Sequence, residues 1–265
     1  MSAKSDARRA RRELVLNELG LTPLWRVREA GPPEAAQLNP ACTETSAVGA
    51  GPAEIPPARV GQREDRRLEI LRMGWEQLQT SVAGCIACPL CKSRSRTVFG
   101  VGDPNADWLC VGEGPGVQED ATGEPFVGLA GQLLDNMLAA IALERGRNVF
   151  ITNIVKCRPP GNREPAPEEA QSCEPYLARQ IELIRPRLII ALGKIAASNL
   201  LHTSASLASL RGKVHKYLDI PVIVTYHPAY LLRNLPGKAI VWEDLCFARS
   251  TMNQLLQSGH RSPFN

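Results

Sequence analysis

Four cysteines in two separated segments carry the first chemical signal. Cys85 and Cys88 form a C-x2-C pair, 68 residues intervene before Cys157, and Cys173 follows with 15 residues between. Thiolates drawn from two segments suit a tetrahedral zinc site or a cubane iron-sulfur cluster equally well. Cys91 extends the first pair to C-x2-C-x2-C, but Ser95 stands where a bacterial ferredoxin run would place its fourth member. The plainer alternative is a scatter of free thiols. Cys110 and Cys246 lie in apolar strand and helix patterns and read as core thiols.

A second group of motifs could build a pocket. GEGPGVQED, residues 112–120, opens at the end of an apolar run, and Gly112, Gly114 and Gly116 would let backbone approach a ligand closely. The motif is neither a Walker loop nor G-x-G-x-x-G, so triphosphate and dinucleotide binding lose ground. Phe126 falls on a turn before a helix and, taken alone, reads as a core ring. Asn153 ends a later apolar run, and His227 opens YHPAYLLRN.

These residues need elements to hold them. Trp108 to Val111, Val149 to Thr152, Leu188 to Leu192 and Val222 to Thr225 read as strands. Residues 64–79, 132–142, 168–184, 194–201 and 241–256 carry helical periodicity. That alternation predicts an α/β fold, a three-layer α/β/α sandwich around a four-stranded parallel sheet. Ligands in such folds bind beyond the carboxyl ends of the strands, where every unusual motif falls. This domain should span residues 65–258. Residues 29–61 hold eight Ala, six Pro and four Gly and no aromatic residue, which predicts a disordered linker over 29–64. Residues 1–28 contain a helical pattern that could dock a protein partner, whose identity the residues do not reveal.

The 265 residues are 44% hydrophobic and 22% charged, which excludes disorder throughout. A net charge of +4 permits phosphate contact without demanding it. The first 64 residues carry 9 basic and 8 acidic side chains, so they are no basic DNA-binding arm. Neither a signal peptide nor an apolar run of membrane-spanning length is visible. A cytoplasmic protein without membrane contact is expected.

Together, GEGPGVQED, PFVGLAGQLL, ITNIVKCRPPGNR, the later Cys173, ALGK and YHPAYLLRN resemble the family 4 uracil-DNA glycosylases, from about Gly84 to Leu245. The resemblance implies a [4Fe-4S] cluster on Cys85, Cys88, Cys157 and Cys173, with Cys91 a bystander. It implies that Phe126 stacks on an extruded base, Asn153 reads its edge and His227 contacts a uracil carbonyl. Glu113 would serve the attacking water, and Glu119 would crowd the C5 side of the base. The implied activity is hydrolysis of uracil from single- or double-stranded DNA, starting base excision repair as a monomer on uracil-containing DNA.

The chemistry agrees with those roles. Asn153 can accept from uracil N3–H and donate to O4, whereas cytosine would set its own donor against a donor. A neutral His227 donating to O2 would stabilise the leaving anion. Other branches place an aspartate where this chain has Gly114, which leaves three readings: Glu113 activates the water, Asn153 does, or a dissociative reaction needs only a weak base. Leu231 and Leu232 are expected to wedge into the base stack, with Arg233 near the backbone. Arg94, Arg96, Lys156, Arg158, Arg163, Lys213 and Lys216 are candidates for a phosphate track. Two rivals stand beside this reading: a uracil-DNA binder without turnover, and a zinc-stapled DNA-binding module without activity. The first belongs to a branch that traps its product on a histidine in a KRRIH insertion, and the corresponding loop here, residues 159–173, has no histidine.

Overall fold

Apolar runs with no polar face cannot lie at a solvated surface, and the four strands expected from the sequence all form and are buried throughout: β2 (Trp108–Gly112), β3 (Val149–Asn153), β4 (Leu188–Leu192) and β6 (Ile220–Thr225). The computed structural model describes residues 60–258, so the expected N-terminal helix and most of the linker lie outside the described residues.

The sheet has six strands in the order β1-β3-β2-β4-β6-β5, with the central four parallel. The expected four-stranded sheet is thus extended at both edges by antiparallel strands, β1 (Val101–Gly102) and β5 (Val214–Tyr217). β1 is two residues long, too short for periodicity to show. β5 is half exposed and turns into β6 through Leu218 at φ 52°, where no glycine or asparagine marks a hairpin.

Strand residues alternate between two cores. Leu109, Val111, Phe150, Ile189 and Val222 face one side, with α1 (Val60–Arg72), α2 (Trp75–Ala83), α5 (Pro167–Ile184) and α6 (Lys194–Leu201). Cys110, Ile151, Ile190 and Ile223 face the other, with α4 (Leu129–Ala140), α8 (Pro228–Arg233) and α9 (Gly237–Gln257). Short helices α3 (Val117–Thr122) and α7 (Leu207–Leu210) complete the described order. The expected helix over 64–79 is two helices, broken at Met73 and Gly74, and the first begins at Val60, inside the expected linker. Among the described residues no helix is long and apolar enough to cross a membrane.

The chain leaves β2 for β3 on one side and returns past it to β4 on the other. The connections that leave β2 and β4 therefore run in opposite directions, which opens a crevice beside the carboxyl end of β2. Gly112 and Asn153 are the last register pair of β2 and β3, so the two motifs meet at the rim of that crevice.

Candidate active site and cysteine cage

A cleft of about 410 Å³ opens there, and Glu113, Glu119, Phe126, Asn153, His227 and Arg233 all contribute to its wall. Asn153 is 1% exposed, and its Oδ1 has no hydrogen-bond partner among the described residues. A buried amide oxygen without a partner costs about 1–3 kcal/mol unless something enters to donate to it. The space beside it is open because position 112 carries no side chain: a Cβ there would meet Asn153 Oδ1 and lie 2.6 Å from Phe126 Cζ.

Phe126 is buried, at φ 54°, with its ring centroid 5.5 Å from the His227 ring and tilted 31° to it. Apolar burial and a place on the wall of the cleft are both true of this ring. His227 caps α8, its Nδ1 accepting from Ala229 N–H at 3.2 Å. Burial, first, lowers the His227 pKa to about 4, against the Glu119 charge, which raises it. At neutral pH the ring is therefore uncharged, and with Nδ1 accepting, the proton resides on Nε2.

The two acidic residues differ. Burial pushes Glu113 up to about 7, assisted by the charge of Glu164. Glu119 spends its carboxylate on backbone: Oε2 accepts from Gly116 N–H at 3.1 Å, and Oε1 from Val127 and Gly128 N–H at 3.0 and 3.1 Å. Glu119 therefore staples the glycine-rich turn to the Phe126 turn as well as lining the cleft. Gly114 has a steric reason, since a Cβ there would lie 2.8 Å from Val155 Cγ2. An aspartate at this position would require Val155 or the loop to shift.

Several sequence expectations are corrected by burial. Leu231 is 1% exposed and packs in the core with α9, so it is no wedge; Leu232 and Arg233 stay exposed at the rim. Lys156, expected on a phosphate track, is 1% exposed, its Nζ donating to Thr152 Oγ1 at 2.6 Å, Asn153 O at 2.8 Å and Gln180 Oε1 at 2.6 Å. Burial lowers its pKa to about 8, opposed by the Cys173 and Cys157 charges. Arg94, from the same expected track, turns to Cys157 Sγ at 3.0 Å, and Arg163 forks onto Glu169. Cys246, expected in the core, is exposed, while Cys110 is buried as expected.

Sequence reasoning missed Tyr230 and Asn162, which line the cleft, and Arg145, which braces it from behind. The Tyr226 and Tyr230 rings stack at 5.0 Å although Tyr226 precedes the helix, so helical spacing gave no signal for Tyr230. No local pattern pointed to Arg145.

Cys85, Cys88, Cys157 and Cys173 line one small cavity beneath α2 and α5. The cavity wall includes Val82 and Tyr176, which shield it from water. Donors point at its sulfurs: Lys156 N–H to Cys173 at 3.4 Å, Arg66 to Cys85 at 3.7 Å and Arg94 to Cys157. Burial pushes the Cys173 thiol up to about 12, and raises those of Cys88 and Cys157. Such thiols ionise only with a compensating cation beside them. Among the described residues no three Cys, His, Asp or Glu side chains close on one ion-sized point.

A doubly wound sheet that sets a buried amide, an aromatic ring and a neutral histidine around one cleft at its carboxyl edge can receive a flat, polar ligand. The model of the uracil DNA glycosylase superfamily matches residues 99–246, and the chain belongs to that superfamily. It is 44% identical over 165 residues to a type-4 uracil-DNA glycosylase of Archaeoglobus fulgidus, covering 59% of this chain and 82% of the relative. A type-4 enzyme of Thermotoga maritima matches at 44% over 179 residues, 66% and 93% of the two chains. Similarity to a type-5 enzyme of Pyrobaculum aerophilum is lower, 33% over 146 residues, covering 49% of this chain and 64% of the relative.

Proposed function

We propose that this chain is a type-4 uracil-DNA glycosylase that hydrolyses the bond between uracil and deoxyribose in single- or double-stranded DNA, leaving an abasic site and so starting base excision repair. The observation that carries the reading is Asn153 Oδ1, buried on the wall of the cleft and without a partner among the described residues. Uracil N3–H is the donor it lacks, and the amide N–H2 then faces O4. Cytosine would leave a donor facing a donor, a mismatch of about 1–3 kcal/mol per group.

Each remaining residue has a matching task. Phe126 stacks on the extruded base. His227, neutral with its proton on Nε2, donates to O2 as negative charge gathers on the departing uracil. Glu113, its carboxyl near neutrality, orients the attacking water. Glu119 cannot swing aside because three amides hold it, which suits exclusion of a C5 methyl. Arg233 meets a phosphate, and Leu232 fills the stack left by the base.

For the cysteine cage we propose a [4Fe-4S] cluster held by Cys85, Cys88, Cys157 and Cys173. Four cysteines from two separated segments line one buried cavity, which supports thiolate ligation of such a group. When bound, the group supplies a cross-link between the segment before β1 and α5. The chain is further proposed to act as a cytoplasmic monomer.

The test is base release from a uracil-containing oligonucleotide, with alkali to reveal abasic sites. We expect many turnovers per protein molecule. A stoichiometric protein–DNA adduct would favour the trapping rival, and no release at all would leave a binding module. Purified protein should be brown with iron absorbance, where a colourless zinc protein would overturn the cluster assignment.

A further inference from the structure

A left-handed backbone at a bulky residue persists only where its surroundings impose it, and Phe126 is such a residue. The turn is gripped from both sides. Glu119 accepts from the two amides that follow Phe126, Val127 and Gly128. On the carbonyl side Arg145 reaches in from the connection after α4, Nη1 donating to Pro125 O at 2.9 Å and Nη2 to Phe126 O at 2.8 Å. Asp135 on α4 holds the guanidinium in turn, accepting from Nε at 2.9 Å. Helix α4 presses on the same carbonyl so closely that a Cβ at Gly131 would overlap it.

We propose that Arg145, oriented by Asp135, is a positioning residue for uracil release: its two donors fix the consecutive carbonyls of Pro125 and Phe126 and thereby hold the aromatic ring at the stacking wall. The inference rests on the base-stacking reading of the cleft. Arg145 does not line the cleft, so it acts through Phe126 and not on the base. A planar fork covers two carbonyls and a carboxylate at once, and a lysine ammonium, a point charge on a flexible stem, cannot. The grip tightens neither DNA phosphate contacts nor the Asn153 hydrogen bonds, so its loss should fall on kcat more than on KM.

A double-mutant cycle tests this. Arg145→Lys should lower kcat by about tenfold in the parent and by less than about twofold in a Phe126→Ala background, with KM changed little. Iron absorbance and the melting midpoint establish that each variant is folded, and Asp135→Asn serves as the second entry to the same cycle should Arg145→Lys fold poorly. Equal losses in both backgrounds, or no loss in either, would overturn the role of Arg145. Parent-like activity of Phe126→Ala by itself would instead remove the stacking reading, and the proposal with it.

Discussion

Lys156 Nζ donates to the main-chain carbonyl of Asn153 at 2.8 Å, while the backbone N–H of Lys156 donates to Cys173 Sγ at 3.4 Å. One residue thus joins the base-reading amide to the cysteine cage. The ammonium also satisfies Thr152 and Gln180, and Gln180 in turn donates to Phe99 O at 2.9 Å, so the strand end is fixed by a buried network.

Replacing that lysine should therefore loosen Asn153. Lys156→Met leaves Gln180 Oε1 and Asn153 O without their charged donor, at about 1–3 kcal/mol per group. For a domain of this size that lowers the melting midpoint by about 2–4 °C per kcal/mol. Uracil release should fall as well, with iron retained. A variant as stable and as active as the parent would show that the network does not hold the asparagine.

Glu113 gives the reaction a pH limb. Because burial raises its pKa to about 7, release should increase with pH through that value and then level off, and Glu113→Gln should be slow and lack the limb. His227, lowered to about 4, stays neutral over the same range and adds no limb. Linkage fixes the sign for stability. A raised carboxyl favours the folded state below its ordinary value of 4.5, and that contribution is lost as pH rises through about 7. Glu113→Gln should accordingly gain melting temperature over the parent at pH 8 relative to pH 5. A flat rate profile in the parent would remove Glu113 from water activation.

Asn153→Asp exchanges the amide donor for an oxygen that can accept from the cytosine amino group. We expect slower uracil release together with weak, measurable cytosine release in a base-release assay. Uracil release at the parent rate would mean that Asn153 does not read the base edge.

The cage predicts an asymmetry among cysteines. Cys85→Ser or Cys173→Ser should give colourless, poorly soluble protein, because the cavity then loses a sulfur that ties α2 or α5 to it. Cys91 does not line that cavity, and Cys91→Ser should remain brown and active. A colourless Cys91→Ser beside a brown, stable Cys173→Ser would reverse the assignment, as read by visible absorbance and iron content.

Two-sided burial, and the residues that end each buried run, are legible in the order of amino acids. Runs such as LIIAL and VFIT, short, β-branched and bounded by turn residues, read as buried strands, and parallel strands put Gly112, Asn153 and the segment before His227 at one edge. Short motifs carried the family because their residues sit within a few positions of those strand ends. What tertiary structure alone decided is which polar or apolar side chain turns inward. Leu231 and Leu232 are adjacent and chemically alike, yet helix α8 gives one to the core and the other to the rim. Lys156 and Arg94 look like surface cations until α5 brings Gln180 and Cys173 against one and the cage sets Cys157 before the other. Arg145 lies 19 residues from Phe126 in a stretch with no motif, and only the fold of the turn after α4 carries its guanidinium to that carbonyl. Local pattern records burial and periodicity, whereas contacts between distant segments depend on how whole layers pack.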